Sequence, residues 1–224
     1  MAGSTPENLK IEEEVREQLK LLFADFYPGS PAFKMFERHS EQFEKKFEQA
    51  NSITETFTET LNRFPACEKI EDFPKHKKAI NVVGAFGYLA MVETAASIYV
   101  DLTILILIAK GQDLHLGPDR KHMYIRHAMS LEDLESPTLP LSVKLDFLDL
   151  NGFPFFSKWI DRDLRNKIAH LDFDFDQNGN FLLKNGETKV IKLEDKMASF
   201  MKYLRVIGTF FVEDLKKTIK RKES

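Results

Sequence analysis

Cysteine is nearly absent from this chain. A lone Cys67 in 224 residues excludes a disulfide framework and a cysteine-built zinc site, and fits a reducing, cytoplasmic setting. Glycine and proline are scarce, at 10 and 9, which excludes a linker-rich or disordered chain. Charge of one sign is also missing. With 32 basic against 35 acidic side chains the formal net charge is −3, so nucleic-acid contact requires a local patch, not a broad basic face. No uncharged apolar run approaches the ~20 residues of a membrane span. The most apolar stretch, Tyr88 to Ala109, is interrupted by Glu93 and Asp101 and reads as a buried core helix. The amino terminus lacks the basic start and apolar run of a signal peptide. What the chain does have is phenylalanine: 20 Phe beside one Trp imply a Phe-rich core.

The hydrophobic period is helical for most of the length. Pro6 to about Phe26 reads as a first helix, with Glu12, Glu13 and Glu14 near its start. Pro28-Gly29-Ser30-Pro31 breaks it. A long helix from about Pro31 to Phe64 carries a stripe of Phe33, Phe36, Phe43, Phe47, Phe57, Leu61 and Phe64. From about Lys75 to Lys110 the helix is apolar nearly all round, and Gly84, Ala85, Gly87, Ala90, Ala95 and Ala96 permit close approach of neighbours. Shorter helical pieces are expected near 120–135 and 140–150, then a helix over 154–170. After it the period switches to two. Asp172–Asp176, Asn180–Lys184 and Thr188–Lys192, with Asn178-Gly179 and Asn185-Gly186 between them, read as a small two- or three-stranded meander. A last helix follows from about Leu193 to Lys220. The expected fold is mainly α, with residues 1–65 as a helical extension and residues 66–224 as a bundle carrying the β insert.

The informative segment is Trp159-Ile160-Asp161-Arg162-Asp163-Leu164-Arg165-Asn166-Lys167-Ile168-Ala169-His170. Ile160, Leu164 and Ile168 form an apolar row, while Arg162, Asn166 and His170 form a polar row on another face. Arg165 lies one residue off that row, and its long stem reaches toward the imidazole. A guanidinium matches phosphate oxygens and stays charged, and an imidazole exchanges a proton near neutral pH. RNA carries its own nucleophile, the ribose 2′-OH, so this set suits cleavage of RNA without metal. The bland alternative is an Asp161–Arg165 ion pair at i,i+4 and a His170 that only caps the helix.

Arg165-Asn166-Lys167-Ile168-Ala169-His170 resembles the Arg-x4-His signature of the HEPN superfamily (higher-eukaryote and prokaryote nucleotide binding). The polar residue after the Arg, the small Ala before the His, the strand pair that follows and the closing helix all share in the resemblance. It implies a four-helix bundle that dimerises, with the two motifs facing each other across a cleft. It also implies a metal-independent endoribonuclease of the kind found in toxin–antitoxin, phage-defence and RNA-guided systems. Carried over, Arg165 binds and stabilises the scissile phosphate, His170 serves proton transfer or positioning, and Asn166 orients the pair. Arg162 and Lys167 are the candidate substrate-binding cations. RNA, a second copy of the chain, and an antitoxin or regulatory protein are the implied partners, and no cofactor, metal or membrane is expected. The rival is a catalytically silent dimer that binds RNA, nucleotide or protein. A third reading is a structural subunit whose polar row serves an interface. In one respect the chain departs from the family: toxins silenced by nucleotidyltransferases often carry Tyr two residues after the His, where Asp172 stands here, which argues against silencing by such modification.

Other patterns carry less. Arg120 to His127 fits a loose Arg-x6-His spacing without the Asn or the small residue, and His115, His122 and His127 lack the spacing of a metal-binding helix. Asp174, Asp176 and Asn178 mimic the opening of a calcium loop, but Asn185 occupies the place of its bidentate Glu. The Lys216–Lys222 cluster suits a helix carboxyl end, the favoured reading, with contact to RNA phosphates as the alternative.

Overall fold

The protein is described by a computed structural model covering residues 6–66, 68–111, 139–185 and 187–215. The helix expected near 120–135, the Arg120–His127 pattern, the three nearby histidines, Gly186, Cys67 and the Lys216–Lys222 cluster lie outside the described residues. Among the described residues the chain is mainly helical, with one small antiparallel sheet. The helices described are α1 (Pro6–Leu22), α2 (Pro31–Asn62), α3 (Phe73–Met91), α4 (Ser97–Ala109), α5 (Leu141–Leu150), α6 (Phe155–Trp159), α7 (Arg162–Ala169) and α8 (Leu193–Thr209). A π-helical turn, Val92–Ala96, joins α3 to α4, and another, Phe210–Leu215, follows α8.

Two compact units divide the chain, each assembled from separated stretches. Unit 1 holds residues 1–44, 97–159 and 202–224. The phenylalanine load is put to use here as core packing. Phe23 meets Phe26, Phe210 and Phe211 edge-on, with ring centroids 5.0–5.6 Å apart. Within α4, residues Val100 to Leu107 are all buried, as a helix apolar all round requires. That buried set includes Asp101, whose Oδ1 accepts from Lys144 Nζ at 2.6 Å.

Unit 2 holds residues 45–96 and 160–201. In it α7 packs against α3 and against strand β2 (Phe181–Asn185), which pairs with β1 (Phe173–Phe175) on one side and β3 (Glu187–Ile191) on the other. All three expected strands are present, and Phe173 and Phe175 are half-buried while Asp174 is exposed. The hairpin tip docks on the start of α3: Asn81 Nδ2 donates to the Gly179 carbonyl at 2.9 Å and Lys77 Nζ to Asn180 Oδ1 at 2.7 Å. Gly179 has φ +73, and a Cβ there would overlap the Pro74 carbonyl oxygen, so this turn requires glycine. The small residues of α3 serve close packing as expected, since a Cβ at Gly87 would overlap the Phe57 ring.

One sequence expectation needs correction. The helix expected over 154–170 is two helices, because Ile160 leaves the helical path and Asp161 caps a new one. The helical run expected from Lys75 to Lys110 is present, with the π turn inside it. The Phe stripe of α2 is mostly half-buried, with Phe43 buried and Leu61 exposed. Together Ile70–Ala109 make one helix long and apolar enough, by length and composition, to cross a membrane. Of its apolar window 72% is buried inside the protein, compatible with the core helix of a soluble protein.

Candidate functional site

The site is built on α7, eight residues long and strongly capped. The Asp161 side chain accepts from the Leu164 N–H at 3.1 Å, which satisfies one of the free amides of the first turn. Lys196 Nζ donates to the other carboxylate oxygen at 2.6 Å. Burial pushes the Asp161 carboxyl up, but the Lys196 ammonium and the Leu164 amide outweigh it and hold the group below the usual carboxylate value. The Tyr88 hydroxyl, on α3, accepts from the Asp161 N–H at 3.1 Å and donates to its carbonyl at 3.4 Å. Burial, then the Asp161 charge, push that phenol up and keep it neutral. Ile160, Leu164 and Ile168 are all buried, and Leu164 and Ile168, four apart on α7, anchor it as their spacing predicts.

The other end of α7 is closed by a Schellman turn. The Asp172 N–H donates to the Lys167 carbonyl at 2.7 Å and the Leu171 N–H to the Ile168 carbonyl at 3.1 Å. The residue in the left-handed position is Leu171, φ 57, where glycine is the usual occupant. The apolar contact that often accompanies this turn is replaced by Lys167 Nζ on Asp172 Oδ2 at 3.1 Å. His170 is therefore the cap residue itself, exposed, and its imidazole makes no hydrogen bond among the described residues.

Arg165 does not pair with Asp161. Its Nε donates to Glu93 Oε1 at 2.5 Å, and its Nη1 donates to Asn166 Oδ1 at 2.9 Å. Nη2 also lies 2.5 Å from Glu93 Oε1. The pair is open to solvent, the side chains being 28% and 40% exposed. Glu93 sits in the π turn between α3 and α4, and such turns are frequent at functional sites. The bland Asp161–Arg165 pair is thus replaced by two longer-range ones, Asp161 with Lys196 and Arg165 with Glu93.

Of the five candidate residues, Arg165 and Asn166 are joined side chain to side chain, and His170 closes the same helix. Arg162 opens α7 and is half-buried. Lys167 has its ammonium on Asp172 Oδ2 and on the Lys184 carbonyl at 2.9 Å. Glu93 was not among the candidates. Its signal was a carboxylate, one of two, in an apolar stretch, but sequence alone gave it no partner. In the look-alike calcium loop, Asp176 Oδ1 accepts from the Asn178 and Asn180 amides and Oδ2 from Asn180 Nδ2 at 2.7 Å, so its carboxylate shapes the turn. Among the described residues no cluster of three metal-ligating side chains occurs. A groove of about 540 Å³, lined by Phe57, Leu61, Phe73, Ile80 and Met197 among others, contains none of the candidate residues.

Comparisons with family models, with curated proteins and with solved structures return no match for this chain.

Proposed function

We propose that the protein is a HEPN-type, metal-independent endoribonuclease that cleaves single-stranded RNA through attack of the 2′-OH, working as a homodimer. The observation that carries this reading is the joined Arg165–Asn166 pair on a short capped helix that ends on an exposed His170. Nε and Nη2 of Arg165 lie at Glu93 and Nη1 donates to Asn166, while the remaining N–H groups of the fork can meet phosphate oxygens. Glu93 and Asn166 fix the plane of the guanidinium, so stabilising the crowded phosphorus costs little reorganisation. His170 takes the proton of the 2′-OH or returns one to the leaving 5′ oxygen. One imidazole serves only one of these transfers at a time, and a two-fold axis supplies the second. The strained Leu171 beside it fits a site where backbone strain holds a functional group in place.

The test is purified protein with end-labelled RNA in excess chelator. Products should carry a 2′,3′-cyclic phosphate and a 5′-hydroxyl, DNA should survive, and light scattering should report a dimer at micromolar concentration. A monomer, or cleavage only with added metal, contradicts the reading. The rival, a silent RNA-binding dimer, draws support from Glu93, whose carboxylate already neutralises Arg165. Tight RNA binding without cleavage would establish it.

A further inference from the structure

An aromatic cluster lies along the same helix that holds Glu93. Phe86 on α3 stands between buried Ala85 and Gly87, yet 44% of it is exposed. Its ring meets the Phe173 ring at 6.4 Å and 73°. Phe173 in turn stacks on the buried Phe181 at 5.0 Å and 26° and meets Phe175 edge-on at 5.8 Å. Lys78 Nζ lies 5.2 Å from the centre of the Phe175 ring. Phe86 is thus an exposed ring braced from behind by a packed aromatic stack.

Its position relative to the candidate site follows from the chain. Phe86 and Glu93 are seven residues apart on one helical run, about 10 Å along its axis, with Glu93 in the π turn that ends α3. Arg165 is fixed at Glu93 and Phe173 at Phe86. The chain from Arg165 to Phe173 therefore joins the two anchors, and exposed His170 lies on that stretch, three residues before Phe173. The carboxylates nearby are each tied to a lysine, Asp172 to Lys167 and Asp174 to Lys184, which tempers their repulsion of a phosphate chain.

We infer that the Phe86–Phe173 pair is a nucleobase-stacking subsite, binding a base next to the phosphate that Arg165 holds. The inference rests on the ribonuclease reading and names how the substrate strand is gripped. Single strands are held by cations along the backbone and aromatic faces under the bases, and stacking tolerates any base. A stacked base would orient the ribose of its own nucleotide, setting the 2′-OH against the phosphorus.

The test uses a single-stranded 2′-O-methyl oligonucleotide containing 2-aminopurine, which lacks the nucleophile and reports stacking by loss of fluorescence. Wild type should quench it on binding. Phe86→Leu should bind ~5- to 150-fold more weakly and lose the quench. Phe86→Tyr, which keeps the ring, should retain both. Absence of a quench with wild type, or Phe86→Leu indistinguishable from it, overturns the subsite; if RNA cleavage still depends on His170, the ribonuclease reading stands without it. A Phe86→Leu protein that elutes as a monomer overturns the subsite in favour of a protein interface. Wild type that neither binds the oligonucleotide nor cleaves RNA overturns both. Should Phe86→Leu fail to fold, the wild-type quench and its retention in Phe86→Tyr decide.

Discussion

Two carboxylates interrupt the apolar stretch between Tyr88 and Ala109, and the fold uses them in opposite ways. Asp101, in unit 1, is buried and paired with Lys144 at 2.6 Å, the two side chains being 6% and 12% exposed. Glu93, in unit 2, pairs with Arg165 in the open. The buried pair is worth little in net stability but is expensive to break, because one partner would be left charged and dry. The open pair is worth about 0–1 kcal/mol. The same chemistry, eight residues apart, thus makes a buried structural tie in one unit and a solvent-facing hold on a cation in the other. Glu93 takes Nε and Nη2 of Arg165 and leaves other N–H groups of the fork over, whereas the Asp101–Lys144 pair is closed off from solvent.

The largest effect expected from breaking this comparison is Lys144→Met. It should cost about 3–5 kcal/mol in urea unfolding, and Asp101→Leu added to it should recover most of that loss. If the single variant is neutral, Asp101 is not a buried charge and the contrast fails.

Next is Gly179→Ala, which tests whether the hairpin tip is as tightly fixed as α7 in the same unit. The left-handed conformation, the clash with the Pro74 carbonyl and the loss of the Asn81 hydrogen bond should together cost about 2–3 kcal/mol. A melting temperature equal to wild type would show that the tip does not dock on α3.

A smaller effect attaches to Asp161, the half-buried case between the two extremes. Its folded-state pKa lies below the unfolded value of about 3.9, so its contribution is present above that pH and fades as pH falls through the folded value. Asp161→Asn should cost about 1 kcal/mol at pH 7 through the lost cap contact, and should flatten the acid limb of the stability curve below about pH 4. An unchanged acid limb would mean that Lys196 does not hold the carboxylate.

The smallest stability effect belongs to Glu93→Gln, under about 1 kcal/mol. Its value lies in the mismatch it should produce: a near-wild-type melting temperature with altered RNA affinity and a steeper salt dependence, because Arg165 loses its resident anion. Equal losses of stability and activity would make Glu93 another Asp101.

How much of this could be read from the sequence follows the range of each interaction. The period-2 run Asp172-Phe173-Asp174-Phe175 and the turn Asn178-Gly179 gave the sheet, because strand alternation and turn chemistry are local. Leu164 and Ile168 gave the buried face of α7 for the same reason. The break at Ile160–Asp161 was hidden, since no Gly or Pro marks it and it is secured by Tyr88 and Lys196, far away in the chain. Arg165 and His170 were legible as a motif, but Glu93, 72 residues from Arg165, was visible only as an oddity in an apolar helix. Leu171 in the left-handed position carries no sequence mark at all, since glycine or asparagine is the usual signal.

The most direct measurement is the rate of RNA cleavage in excess chelator by wild type, His170→Ala and Arg165→Ala, all matched for melting temperature and for oligomeric state by light scattering. His170 is exposed and the Arg165–Glu93 pair is open to solvent, so the variants should fold. Each should lose ~10²–10⁴-fold in rate for the proton-transfer group and ~10²–10³-fold for the cation, and Asn166→Ala should lose less. Cleavage that persists in His170→Ala, or a wild type inert toward every single-stranded RNA tried, would contradict the ribonuclease account.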